Sequence, residues 1–391
     1  LIRRGRGLVQ LSGPTDIPER VLRAVRRPSV DFRTRAFAEL VARCRDGLAR
    51  LHGTRGPVHT DRALGHGARE EALVDLVVGP GEGSSSRGPA ASRRAGRRWP
   101  RPSASLSSGS RPTSVDRFDP AAVGTALRAD RERRVRCLRA VHLATSTGIH
   151  RDSRPLRAAL GAAARPARLL ADANASPAAI PLEMEARGVA AVVAGPRKGL
   201  LSPPGRSSVT AGPRGLEVAR TGGPARRHRH RRGRDGAEAH ERFSGTPPAR
   251  MIFELRDAPD MLAEEGLPVL HARHARGPRA VRAAVARWAE AGAITCHCLD
   301  PEARADTVTA LTFAPEIEPE RSRERCRERY GVAFGGIGPF RARPPRLGHT
   351  GELDAATIPG ALRVLALASA EPDAPHELGD VEAAVEALIA G

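Results

Sequence analysis

The chain has 391 residues, enough for about two domains and for a core that buries most of the surface of the unfolded chain. It carries 64 Lys and Arg against 44 Asp and Glu, a net charge of +20, and Lys198 is its one lysine. No apolar run approaches the ~20 residues of a membrane span, no apolar stretch of a signal peptide follows the charged start, and five cysteines lack framework spacing. These features argue against a membrane protein, a secreted mini-domain and a fibrous protein, and a soluble cytoplasmic protein is the expectation. The charge is uneven: residues 82–113 and 220–235 each hold seven arginines and one acid, more than half of the excess. Neither segment has a helical or strand period, and both read as loops or disorder.

In chain order, Asp16 before Ile17 and Pro18 marks a helix start, with Asp16 as the N-cap. Phe37, Leu40, Val41, Cys44, Leu48 and Leu51 recur at helical spacing and make one apolar face, which Gly53 is placed to end. Glu70 to Val78 reads as another helix, closed by Gly79-Pro80-Gly81. The pattern then fails until about Asp119.

From Cys137 it recovers. Cys137 to Leu143 reads as a strand, Asp152 to Ala164 as a helix, and Arg168 to Ala171 and Val189 to Ala194 as two further strands. Strand, helix, strand at this spacing implies a right-handed parallel crossover. Chemistry in such sheets gathers at the carboxyl ends of the strands. Thr145, Asp172 and Lys198 each lie just past one. Beyond residue 266 the character changes. Helices are expected over 271–291, 320–330, 354–368 and 380–389, and strands over 294–299, 307–313 and 332–334, a smaller α+β unit.

A lysine that leaves a buried strand can be desolvated, which lowers its pKa and makes its amine nucleophilic toward an aldehyde. Arginine cannot take that role, because its guanidinium stays protonated. A chain that uses arginine at every other basic position has kept Lys198 between a strand and Leu200-Leu201-Ser202-Pro203-Pro204-Gly205.

Seven motifs carry a family resemblance: GPTDIPERVL (13–22), GHGAREEAL (65–73), HLATSTG (142–148), LLADANAS (169–176), AGPRKGLLSPPG (194–205), SGTPPARMIFELRDAPDMLAEEG (244–266) and PRLGHTGEL (345–353). With them the chain resembles the class V, fold-type I aminotransferases that use pyridoxal 5'-phosphate, and looks most like the serine–glyoxylate and alanine–glyoxylate enzymes. The resemblance implies an α/β fold with a mostly parallel sheet in a large domain, residues 1–266, and a smaller C-terminal α+β domain, residues 267–391. It implies a homodimer that moves an amino group from a small amino acid to glyoxylate or a similar 2-oxo acid.

It also implies roles. Lys198 matches the lysine that holds the cofactor covalently, Asp172 the carboxylate that pairs with the pyridine nitrogen, and Thr145 a hydroxyl residue near the ring. Gly65, His66 and Gly67 match the phosphate-binding turn before a helix, where free N–H groups favour an anion. Thr246 matches a residue that reaches the phosphate from the other subunit. Arg346 matches the arginine that grips the substrate carboxylate.

The chain departs from the family at several positions. Leu64 replaces a serine, Arg69 an aromatic or aliphatic residue, Arg197 a glutamine, and Phe243 a tyrosine of some relatives. Residues 82–117 are too rich in Arg, Ser, Gly and Pro for the core strand and helix that relatives have there, with Trp99 the only aromatic in reach. An exposed loop and an unpaired neighbouring sheet edge are therefore expected, and 221–242 likewise reads as a loop.

Other constellations imply less. Cys296, His297 and Cys298 are adjacent on a strand and alternate between its faces, so no metal site is expected. His271 and His274 read as a surface pair. No stacking aromatics accompany the arginine runs, so nucleic-acid binding is not expected. A class V desulfurase would need a cysteine near the site, for which Cys326, on an exposed helix, is badly placed. A catalytically weak relative with a basic surface is the other alternative.

Overall fold

The computed structural model describes residues 7–61, 65, 67–69, 72, 85–86, 104–107, 120–133, 135, 137–165, 167–221, 243, 246–336, 345–370 and 380–389. Strand β1 (Leu8–Gln10) is followed by helix α1 (Glu19–Val25). Asp16 is not the cap of α1. Pro18 holds that position without a side-chain bond, while an Asp16 carboxylate oxygen accepts from the Ile17 amide. Helix α2 (Arg35–His52) follows its sequence pattern: the Thr34 hydroxyl accepts from the Phe37 amide, and Gly53 ends the helix in left-handed backbone. Its apolar face, with Phe37, Val41, Leu48 and Leu51, is buried in a cluster that also takes in Leu200 and Leu201, just beyond Lys198.

The main sheet collects β2 (Val58–Asp61), β3 (Ser85–Ser86), β4 (Ala104–Ser107) and, after α3 (Pro120–Ala129), β5 (Cys137–Val141). A small hairpin, β6 (Leu143–Ala144) and β7 (Ile149–His150), and helix α4 (Arg154–Ala162) precede β8 (Arg168–Asp172). Strands β9 (Ala191–Ala194) and β10 (Ser207–Ala211) and helix α5 (Pro213–Thr221) complete this part. The strand order is β2-β10-β9-β8-β5-β4-β3. Pairing is parallel from β9 through β3 and antiparallel between β10 and each of its neighbours.

Both faces of the sheet are covered, which is why β8 and β9 are continuous apolar runs rather than alternating ones. Leu127, Leu156 and Leu160 pack with Leu138, Leu169 and Val192 on one face, and Ala68 and Ala72 pack with Leu170, Val193 and Val209 on the other. The structure corrects the reading of residues 82–117 in part. Two short strands there join the sheet, and β4 pairs with β5, so that edge is not left open. The remainder of 82–117 up to Asp119, Trp99 included, lies outside the described residues, as do 222–242, Leu64, and most of 70–78.

Helix α6 (Ala249–Glu265) leads to the long α7 (Leu267–Glu290). Strands β11 (Ile294–Cys296) and β12 (Val308–Phe313) precede α8 (Pro319–Arg325), which runs on as a wider π turn over Cys326–Tyr330. Strands β13 (Val332–Phe334) and β14 (Arg346–Gly348) and helices α9 (Thr357–Ser369) and α10 (Asp380–Ile389) follow. β11, β12 and β14 form an antiparallel sheet over a core with Val281, Trp288, Leu311, Leu347 and Leu362. β1 pairs in parallel with β13, so the first strand of the chain packs with this C-terminal unit. The architecture is α/β, a mostly parallel sheet with a smaller α+β unit.

Two surface assignments are corrected here. Cys326 is fully buried rather than on an exposed helix, and His274 is buried with its ring Nδ1 2.9 Å from the Leu270 carbonyl. Among the described residues no helix is long and apolar enough to cross a membrane.

Candidate active site

Lys198 lies four residues beyond β9, where the chain turns away from the sheet. The turn is tied down on both sides. The Thr15 hydroxyl donates to the Lys198 carbonyl at 3.3 Å, the Leu201 amide donates to the same oxygen at 2.9 Å, and the Thr15 amide donates to the Arg197 carbonyl at 3.2 Å. Gly13 lies flat against the lysine stem. A Cβ there would come within 2.7 Å of Lys198 Cγ and 3.0 Å of Cε, and its φ of +120° is one that L side chains rarely adopt. The Lys198 side chain is thus buried, and among the described residues no acceptor holds its amine. Burial lowers the amine from 10.5 to about 8; the Arg197 cation pushes the same way, Asp172 opposes, and Arg346 adds a smaller push down.

Asp172 ends β8 and is buried. Its Oδ1 accepts from Asn174 Nδ2 at 2.6 Å and from the Asn174 amide at 3.3 Å. Its Oδ2 pairs with Arg69 Nη1 at 3.0 Å. Arg69 Nε in turn donates to the Gly65 carbonyl at 3.2 Å. Gly65 packs so closely on the Asn174 amide that any Cβ at that position would overlap it. Arg139, on β5 beside β8, shares this field: its guanidinium is pushed down by burial and by Arg69, with Asp172 opposing.

Arg346 opens β14 and reaches from the C-terminal unit to the hairpin beyond β5. Its Nη1 donates to the Thr145 carbonyl at 2.7 Å, and its backbone bridges Gly335 in both directions. Thr145 thus contributes its carbonyl to the site's framework. Beneath Asp172, the His142 amide donates to the Asp172 carbonyl at 3.0 Å. The His142 ring is buried between the Ser176 hydroxyl at 2.8 Å and His150 Nε2 at 3.3 Å. Burial, with the His150 and Arg187 charges, pushes His142 down to about 3, so it is a neutral strut at ordinary pH.

The fold thus brings together Lys198, Asp172, Thr145 and Arg346 from segments far apart in sequence. Gly65 and Gly67 lie in helical backbone, with Gly65 against Asn174, whereas His66 lies outside the described residues. Thr246 is exposed, just before α6. Cys296 and Cys298 are buried, and the ring of His297 between them faces Thr312 at 3.2 Å, so the three do not converge.

No protein-family model matches the chain. Its sequence is 29% identical over 375 residues to a serine–glyoxylate aminotransferase of Methylorubrum extorquens, covering 92% of this chain and 90% of that one. It is 28% identical over 382 residues to an L-aspartate–glyoxylate aminotransferase of Paracoccus denitrificans, covering 96% and 94%. In fold it matches the ureidoglycine–glyoxylate aminotransferase of Bacillus subtilis with a TM-score of 0.83 over 99% of both chains, at 19% identity. In sequence the chain is thus similar to glyoxylate aminotransferases, and its fold is that of the ureidoglycine–glyoxylate aminotransferase.

Three features of the site carry no signal as site residues in the sequence. Asn174 stands inside the motif 169–176 but carries no signal of its own. Gly13 opens the motif 13–22, and only the close approach of Lys198 explains it. Arg69 is visible as a departure from relatives, but its pairing with Asp172 spans 103 positions and is a product of the fold.

Proposed function

We propose that the chain is a pyridoxal 5'-phosphate-dependent aminotransferase that moves the amino group of a small amino acid, serine or alanine, to glyoxylate or a similar 2-oxo acid. The names of the relatives support the substrate class. The observation that carries the reading is the buried amine of Lys198, lowered to about 8, in one electrostatic neighbourhood with Asp172 and Arg346.

This donor set fits the cofactor. Lys198 would hold its aldehyde carbon, Asp172 its ring nitrogen, and the turn at Gly65, His66 and Gly67 its phosphate, with Thr246 supplied by the second subunit of a homodimer. When bound, the cofactor supplies an electron sink that acidifies the substrate Cα–H. Lys198 Nζ is the group that takes the Cα proton and returns it, a task suited to an amine that titrates near the operating pH. The Asp172 carboxylate keeps the proton on the ring nitrogen. Arg346, its fork fixed by the Thr145 carbonyl, binds the substrate carboxylate through paired N–H groups. The leucines beyond Lys198 and the stem-tight Gly13 exclude water behind the amine.

The same reading divides the chain into a cofactor-binding domain, 1–266, and a small domain, 267–391, with β1 returned to the latter, and places the enzyme in the cytoplasm. Desulfuration is disfavoured: all five cysteines are buried, and burial pushes Cys326 up to about 12. The test is an absorption titration with pyridoxal 5'-phosphate followed by serine. The expected result is a protein-bound cofactor band that changes on adding serine and is absent in Lys198→Ala. An unchanged spectrum of free cofactor would contradict the proposal.

A further inference from the structure

Asp172 is already engaged. A carboxylate offers two oxygens and about four lone-pair directions. Oδ1 takes two donors, both from Asn174, at 2.6 and 3.3 Å. Oδ2 takes the Arg69 guanidinium at 3.0 Å. A second guanidinium, Arg139, shares the same surroundings and already feels the repulsion of Arg69. A protonated ring nitrogen on Asp172 would be a third cation around one carboxylate.

Arg139 and Arg69 differ in their freedom to leave. Arg139 springs from a central strand, between β4 and β8. Arg69 sits on a helical turn whose neighbours Ala68 and Ala72 face the sheet, and it is part-exposed. Among the described residues it has one further anchor beyond the ion pair, the Nε bond to the Gly65 carbonyl at 3.2 Å. Among the described residues, rotating it away from Asp172 breaks these two contacts.

We infer that Arg69 is a resident competitor for Asp172: its guanidinium holds the carboxylate oxygen that the cofactor's ring nitrogen needs, so the cofactor binds only as Arg69 leaves, and this side chain sets cofactor affinity. The inference rests on the reading that Asp172 faces the ring nitrogen. It assigns Arg69 a positioning role, acting through Asp172 and not on the substrate. The Arg69–Asp172 pair also keeps the buried carboxylate compensated before the cofactor arrives, which an aliphatic residue could not do.

The test is equilibrium dialysis of pyridoxal 5'-phosphate against the full chain and its Arg69→Leu and Arg69→Gln variants, with folding checked by circular dichroism. Removing a charge-assisted competitor is expected to tighten cofactor binding by at least about tenfold in both variants. Binding of inorganic phosphate, which has no ring nitrogen, is expected to stay level or weaken, because a nearby cation is lost. In an Asp172→Asn background the gain from Arg69→Leu is expected to vanish. If the parent binds the cofactor and both variants bind it equally or more weakly, Arg69 is not a competitor, and the inference fails while the cofactor reading stands. If the gain persists without the Asp172 carboxylate, the inference fails as well. If neither parent nor variants bind the cofactor, the inference and the reading beneath it fall together.

Discussion

The Lys198 amine can be tested through its titration. Burial, the Arg197 cation and the smaller effect of Arg346 outweigh the pull of Asp172 and bring it from 10.5 to about 8. At pH 8 about half of these amines are neutral, roughly 150 times the fraction of an ordinary lysine. Only the neutral amine attacks an aldehyde. The rate at which pyridoxal 5'-phosphate is captured, trapped with borohydride and located by peptide mapping, is therefore expected to rise with pH and reach half its maximum near pH 8. The label should fall on the one lysine of the chain. Replacing Arg197 with Gln removes the largest opposing charge and should move the midpoint upward. The same shift affects folding: between about pH 8 and 10.5 the unfolded chain keeps a proton that the folded chain has lost, so this group's contribution to stability rises with pH across that window. A capture midpoint near 10.5, or label elsewhere than Lys198, would refute the assignment of a desolvated nucleophile.

Four further outcomes follow from the geometry. Asp172→Asn should keep the fold but lower turnover by at least about a hundredfold, near 2.7 kcal/mol of barrier; a variant within threefold of the parent would remove this carboxylate from the cofactor. Arg346→Lys loses the planar fork and should raise the KM for the amino acid about tenfold while leaving cofactor affinity nearly unchanged; equal loss of both would indicate a folding role. Gly13→Ala, with its Cβ 2.7 Å from Lys198 Cγ, should cost about 1–3 kcal/mol in urea unfolding and slow aldehyde capture, and unchanged values in both assays would show that the lysine stem has room. Glu254 is buried beside Arg206, and burial raises it from 4.5 to about 7 despite that cation. Stability should fall as pH rises through that window, so Glu254→Gln should be about 1–3 kcal/mol more stable than the parent at pH 8 and similar at pH 4; a less stable variant at pH 8 would mean that the Arg206 attraction outweighs burial.

Parts of the fold were legible because their burial is written as apolar runs. Leu169 to Ala171 and Val192 to Ala194 lie in strands covered on both faces, and the face of α2 repeats at helical spacing between Thr34 and Gly53. Strand β10, Ser207-Ser208-Val209-Thr210-Ala211, is as deeply buried yet carries no such run. Two of its polar groups find partners, Thr210 in His52 at 2.7 Å and Ser208 in the Ala194 carbonyl at 3.5 Å, while the buried Ser207 hydroxyl has none among the described residues, so composition hides the strand. Strand β4 is equally polar, and its composition reads as loop. Cys326 reads as exposed because its neighbours are mostly arginine and glutamate, which mark an exposed helix; one side chain of that surface turns into the core and packs with Trp288 and Leu365. His274 is hidden by arginine-rich neighbours in the same way.

In the site, Lys198, Asp172 and Arg346 were recognisable by motif, because each motif keeps its residues together in sequence. Their mutual arrangement was not, since it depends on β14 crossing to the Thr145 hairpin and on Arg69 reaching Asp172. Ion pairs across such separations follow from the packing of helices on the sheet, which no local pattern encodes.

Amino transfer itself can be followed with serine labelled at nitrogen, glyoxylate and pyridoxal 5'-phosphate, by measuring label in newly formed glycine. The proposed function predicts labelled glycine that depends on the cofactor and disappears in Lys198→Ala. No labelled glycine from the parent chain, or an undiminished yield from Lys198→Ala, would contradict it.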